Sequence, residues 1–156
     1  MAIPKKLQNF LEKNKIKYEA IAHKTVYTAY DLAQTLKVKL QEIAKTLVVK
    51  TEKGYALAVL PASMMIDIAK LKKVLKAKKV EIAKEGIMKS VFKIKPGTVT
   101  PFGSLHKAQV VMDKNLAKAK QIIASAGSYT DSIKIKIADF LKTEKPIQGI
   151  FGKKKK

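Results

Sequence analysis

Lys45 stands at the mouth of an apolar run, Leu47-Val48-Val49, within the stretch IAKTLVVKTEKGYALAVLP at residues 43–61. A buried strand does not favour an ammonium group at its entrance, so this side chain is either a solvated strand end or aimed into a pocket. Lysine chemistry is point-charge chemistry, suited to phosphate contacts rather than to bidentate reading of a base. The other conspicuous stretch is KPGTVTPFG at 95–103, with two prolines and two glycines in nine residues, which marks a loop. Conventional catalytic groups are sparse. His23 and His106 have no acidic or second-histidine neighbour at metal-ligand spacing, and read as polar residues of a loop or strand edge. The serines and threonines form no nucleophile elbow, and GTVTPFG is neither a phosphate loop nor a dinucleotide fingerprint. With few carboxylates, a glycosidase-like acid pair is not expected. With no cysteine there is no thiol nucleophile, disulfide or thiolate-bound metal. Neither a metal nor a cofactor is expected.

Charge narrows the partner. Thirty-three basic residues, all of them lysine, face 12 acidic ones in 156 residues, a formal +21. Such a field attracts a polyanion with an affinity that falls steeply with salt. A lysine-rich composition with mostly solvated side chains would carry the same field. The hydrophobic fraction of 47% supports a folded core. No run approaches the roughly 18 apolar residues of a membrane span. The expectation is a cytoplasmic protein.

The elements that would position these groups follow from periodicity. Ile3, Leu7, Phe10 and Leu11 predict an amphipathic helix, and KYEAIAH at 17–23 a short strand. Thr28 and Asp31 fit a capping box opening a helix with Leu32, Ala33 and Leu36 inward. Residues 47–49 and 56–60 pair as strands across the turn at 52–54. Asp67 caps a helix burying Ile68, Leu71, Val74 and Leu75. KKVEIA at 78–83 is a strand, and 85–92 a short helix or irregular link. Further strands are expected at 108–113, 120–127 and 132–138, the last alternating Ile133, Ile135 and Ile137 with Lys134 and Lys136, one face buried and one basic. A helical turn closes at 138–144. Links too short for helical crossovers predict an α+β fold with a mainly antiparallel or mixed sheet and helices outside. One domain is expected over 1–150, and a disordered lysine-rich tail over 151–156.

KTLVV at 45–49, LAVLP at 57–61, KKVEIA at 78–83, GTVTPFG at 97–103 and IASAG at 123–127 occur in an order that resembles the free-standing YbaK-type aminoacyl-tRNA deacylases. These are relatives of the editing domain inserted in bacterial prolyl-tRNA synthetases, and the resemblance runs from about residue 3 to 145. It implies a mixed, barrel-like sheet flanked by helices. It implies that Lys45 points into the substrate cavity and holds the end of a charged tRNA, and that Gly97 presents backbone groups to the aminoacyl ester. Thr46, Thr98 and Pro101 of the same two motifs are then pocket residues. His23 would line the cavity mouth, and Gly127 and Ser128 would supply pocket polar groups. Ser132 stands where some relatives carry an acid or a histidine, which leaves the amino acid open. The attacking group would be a ribose hydroxyl, a water or the amino acid's own side chain, with catalysis by positioning and electrostatics.

The expected function is therefore trans-editing: removal of a small misattached amino acid (cysteine, alanine or serine) from tRNA, with tRNA(Pro) the expected one. The expected partners are aminoacyl-tRNA and, as with some relatives, a prolyl-tRNA synthetase that recruits the protein. Neither DNA nor a membrane is expected. Lys153, Lys154, Lys155 and Lys156 would add to tRNA attraction. The alternative is a catalytically silent RNA-binding or synthetase-associated protein on the same scaffold.

Overall fold

The computed structural model describes residues 3–92 and 98–154. Gly97, Lys155 and Lys156 lie outside the described residues. Helix α1 (Lys5–Lys13) buries Leu7 and Leu11, one turn apart, and leads into β1 (Tyr18–Ala22). Helix α2 (Ala29–Leu36) starts at Thr28, whose hydroxyl accepts from Asp31 N at 3.1 Å. Strands β2 (Ala44–Thr51) and β3 (Gly54–Pro61) form a hairpin, followed by β4 (Met64–Ile66). Helix α3 (Ile68–Leu75) is capped by the Asp67 carboxylate, which accepts from Lys70 N at 3.2 Å. Then come β5 (Val80–Ile82), a helical turn α4 (Glu85–Ile87) that runs into a π-helical turn, and β6 (Gln109–Asp113). The chain finishes with β7 (Gln121–Ser125), β8 (Asp131–Lys136), α5 (Ile137–Glu144), β9 (Ile147–Gly149) and β10 (Gly152–Lys154).

The strands form three sheets. The largest runs β5-β2-β3-β6-β9, antiparallel through β3 and parallel at β3–β6 and β6–β9. A second, β1-β8-β7, is antiparallel throughout, and β10 pairs with β4. The fold is mixed α+β as expected, and the large sheet is not closed, with β5 and β9 as its edges. Both faces of that sheet are covered. Val48, Leu57, Val59, Val110 and Met112 pack towards β7, β8, α1 and α5. Val49, Ala58, Leu60 and Val111 pack towards Leu71, Ile66 and Phe151. That is why β3 reads as an unbroken apolar run instead of alternating. In β8, by contrast, Ile133 and Ile135 are buried while Lys136 is exposed.

Two boundaries differ from the sequence reading. Ile137 belongs to α5, which is two turns long, and its backbone N–H still reaches Lys120 O at 3.0 Å, the last bond beside the β7–β8 ladder. The chain also does not leave the fold at residue 150. Phe151 is fully buried, and Lys153 and Lys154 lie in β10, so 151–154 are not the disordered tail expected there. The anchor is Asp113, whose carboxylate accepts Phe151 N at 2.9 Å and Gly152 N at 2.6 Å. A Cβ at position 152 would lie 3.1 Å from that carboxylate and 3.1 Å from the end of Met64, a tight fit that a side chain enters only if these neighbours give way. No helix among the described residues is long and apolar enough to cross a membrane.

Candidate active site at the open edge of a strand

Strand β5 is shorter than β2, and this mismatch creates the site. β5 pairs with β2 only at residues 49–51, and Ala83 N then donates to Val48 O at 2.8 Å. Backbone groups along a strand alternate in direction, so Thr46 turns its N–H and C=O towards the same side as Val48. On that side no strand among the described residues pairs with residues 44–48. A cavity of about 460 Å³ occupies the gap, within the roughly 300–1,000 Å³ typical of small-ligand sites. Helix α2, with Val26 and Leu32, walls one side. The β7–β8 end brings Ser125, Ser128 and Ser132, while Met88 and Val99 close the apolar part.

Lys45 lines this cavity, and its ammonium donates to Met64 O at 2.9 Å. β4 therefore holds the lysine head, and Met64 is itself paired with Lys154 of β10. The exposed Lys153 and Lys154 thus sit one strand away from the carbonyl that orients Lys45. Thr46 lies beside Lys45, and its buried hydroxyl oxygen has no hydrogen-bond partner among the described residues. Such an atom carries a desolvation cost unless a ligand satisfies it.

His23 is the best-defined polar group of the wall. Its Nδ1 is 2.8 Å from Lys24 O and its Nε2 is 2.9 Å from Ser132 Oγ. A carbonyl only accepts, so Nδ1 carries the proton, and in the neutral ring Nε2 accepts the Ser132 O–H. Ser132 is 2% exposed, and this donation leaves its oxygen lone pairs as the group offered to the cavity. Ser128 donates to the buried Asp131 carboxylate at 2.9 Å, as Thr130 Oγ1 does at the same distance. Gly127 makes the turn possible with φ +99°, a conformation that side chains resist, and a Cβ there would also crowd Pro4 at 3.3 Å.

The structure therefore brings His23, Lys45, Thr46, Ser128 and Ser132 to one cavity. Gly127 shapes the loop without lining it. Thr98 is buried and Pro101 lies buried close by, but neither lines the cavity; Val99 between them does. Gly97 falls outside the described residues. His106 lies elsewhere, with Nε2 3.3 Å from Thr100 Oγ1, and burial, aided by the charge of Lys6, pushes its pKa down. Sequence reading missed the wall residues Tyr27, Tyr30, Ile82 and Ser125. The two tyrosines flank the visible Thr28 cap, but nothing in their spacing announces a cavity.

Known proteins share this arrangement of the chain. A family model of the aminoacyl-tRNA editing domain matches residues 23–143. The prolyl-tRNA editing protein ProX of Acetoanaerobium sticklandii is 31% identical over 112 residues, 68% of this chain and 68% of ProX. A proline–tRNA ligase of Xanthomonas oryzae pv. oryzae is 28% identical over 108 residues, 69% of this chain but only 19% of the ligase. The crystal structure of a candidate trans-editing enzyme for prolyl tRNA synthetase superposes with a TM-score of 0.82 at 19% identity, over 96% of either chain, which speaks for the fold. The matched span opens on His23, takes in Lys45 and Ser132 and ends inside α5. This chain belongs to the aminoacyl-tRNA editing domain family.

Proposed function

We propose that this protein is a trans-editing deacylase that clears a small misattached amino acid, of the alanine, serine or cysteine type, from tRNA(Pro). The observation that carries the reading is the cavity at the open edge of β2, where Lys45, Thr46, His23 and Ser132 converge in a chain of this family. The names of the prolyl-tRNA relatives support the choice of tRNA, and a prolyl-tRNA synthetase is the natural supplier of the mischarged substrate.

In this mechanism the terminal ribose and its ester enter the cavity. The Lys45 ammonium, oriented by Met64 O, lies against the phosphate or the carbonyl oxygen as negative charge develops. A water, activated by the neighbouring ribose hydroxyl, adds through its oxygen to the acyl carbon. The bond from that carbon to the ribose oxygen breaks, and the ribose oxygen takes the proton. Thr46 and the Ser132 oxygen are placed to receive donors such as the substrate's α-ammonium. Gly97 is assigned the backbone contact to the ester. Pocket size alone discriminates weakly, about 1–3 kcal/mol per methylene, so polar contacts carry much of the choice among small amino acids.

A deacylation panel of Ala-, Ser-, Cys- and Pro-tRNA(Pro) tests the reading. One of the first three should be cleared far faster than Pro-tRNA(Pro). Tight binding with no turnover of any of them would select the catalytically silent RNA-binding alternative.

A further inference from the structure

Among the described residues, the exposed large hydrophobic side chains are Tyr27, Tyr30, Met65, Ile82 and Ile150. Three of these five, Tyr27, Tyr30 and Ile82, line the cavity just described. Single exposed apolar residues are ordinary, but a cluster around one opening marks a contact surface. The deacylation chemistry uses none of them.

The two tyrosines are ordered before anything binds. Tyr27, 67% exposed, stands just ahead of the Thr28 cap, and its ring meets Tyr129 edge-on with centroids 4.8 Å apart at 61°. Tyr30, 58% exposed, lies in the first turn of α2, and its phenol oxygen accepts from Gln34 Nε2 at 2.8 Å, one turn on. Much of each ring therefore faces water. A tyrosine loses little side-chain entropy on binding, and one already braced loses less.

Charge selects what lies on those rings. The chain carries +21, and the exposed Lys24 and Lys84 adjoin cavity residues His23 and Ala83. A polyanion is drawn to this mouth, and the part of it that offers flat apolar faces is an unpaired base. We propose that Tyr27 and Tyr30 form a stacking platform for the unpaired bases of a single-stranded RNA end, at the mouth of the cavity that receives the terminal nucleotide. The inward direction of the 3′ end rests on the deacylase reading. The platform itself does not.

The test uses an uncharged RNA hairpin with an unpaired 3′ ACCA end, and the same hairpin with abasic sites in that end. Binding is followed by anisotropy of a label on the hairpin loop. The chain has no tryptophan and five tyrosines, so the part of the tyrosine quenching that disappears in the alanine variants reports stacking on these two rings. Tyr27→Ala and Tyr30→Ala should each weaken binding by roughly 5- to 100-fold, the range of one lost base stack. The slope of affinity against salt should stay as in the parent, since no phosphate contact is lost. Tyr27→Phe and Tyr30→Phe keep the ring and should bind like the parent, which also separates stacking from misfolding. The abasic hairpin should bind the parent as weakly as the intact hairpin binds the alanine variants. Equal affinity of parent and alanine variants, equal affinity for intact and abasic ends, or phenylalanine variants as weak as alanine variants would each overturn the platform. No ester is present, so this assay reads the platform independently of the chemistry; stacking here with no turnover in the deacylation panel would remove only the deacylase reading. Deacylation by a protein indifferent to abasic ends would remove only the platform.

Discussion

At the end of β6 the fully buried carboxylate of Asp113 accepts four hydrogen bonds, from Asn115 N and Nδ2 and from Phe151 N and Gly152 N. On β2 the buried hydroxyl oxygen of Thr46 has no partner among the described residues. Both are oxygen atoms taken out of water, and the fold treats them oppositely. Around Asp113 the chain spends its own backbone donors, and the result is closure: Phe151 is drawn into the core and β10 onto β4. Around Thr46 no strand among the described residues pairs with the outer side of β2, and a cavity lies there. Polar burial satisfied from within stabilises, whereas polar burial left open is maintained for a ligand.

The largest effect separating the two regions is expected at Lys45. Lys45→Ala should cut deacylation by about 10²–10³, by analogy with a lost oxyanion donor. The thermal midpoint should scarcely move. Overall tRNA affinity should hold, because the remaining lysines supply the long-range attraction. Lys45→Arg should fail as well, since a planar guanidinium does not replace a compact ammonium. Near-parent turnover by Lys45→Ala would reduce the residue to a strand end.

Asp113→Ala should show the reverse pattern. It strands the N–H groups of Phe151 and Gly152, each costing about 1–3 kcal/mol when buried and unpaired. Chemical denaturation should therefore register a loss of about 2–6 kcal/mol, while turnover per folded molecule, measured well below the midpoint, stays close to the parent. A large drop in that specific activity would mean that the C-terminal closure also organises the cavity.

A smaller effect sharpens the comparison from the cavity side. Thr46→Val removes the unpartnered hydroxyl with little change of shape. Stability should be unchanged or should rise by up to about 1 kcal/mol, while kcat/KM falls about 5- to 10-fold if the substrate uses that oxygen, the worth of one hydrogen bond. Destabilisation by more than about 1 kcal/mol would show that Thr46 has a structural duty and would collapse the contrast with Asp113.

The smallest expected effect lies at the surface. Glu52, in the β2–β3 turn, accepts from Lys78 N at 2.8 Å and Lys79 N at 3.1 Å. Those backbone donors hold its pKa near about 2 instead of 4.5. The folded state therefore binds this proton less readily than the unfolded chain. Its contribution is complete above pH about 4.5 and is lost as pH falls towards about 2. Glu52→Gln should flatten that part of the stability profile, read by denaturant titrations from pH 2 to 6. An unchanged acid limb would mean that the contact does not hold the hairpin to the start of β5. As an exposed carboxylate on backbone donors, it is the weak surface form of the Asp113 device.

Much of the fold was legible because its causes are local. The Thr28 and Asp67 caps act over three residues, and the isoleucine–lysine alternation of β8 states its buried face directly. β4, β9 and β10 were not legible. Each is three residues long, too short to display a period, and each exists because a distant segment accepts it. Phe151 in a lysine-rich terminus looked solvated for the same reason, since its anchor lies 38 residues back at Asp113.

By itself the sequence determined the chemistry on offer: one lysine at a strand mouth, scattered serines and two histidines, and a charge that attracts a polyanion. Lys45 could be singled out because a cation against an apolar run is a local contradiction. Where that chemistry acts was decided only in three dimensions. The cavity exists because β5 stops short of residues 44–48 of β2, and because α2 and the β7–β8 end fold against the gap. His23 joins the cavity wall only when Ser132, 109 residues away, comes within 2.9 Å of its Nε2. Strand lengths and long-range contacts are settled by which pairings bury the most apolar surface at once, and no window along the chain contains that comparison.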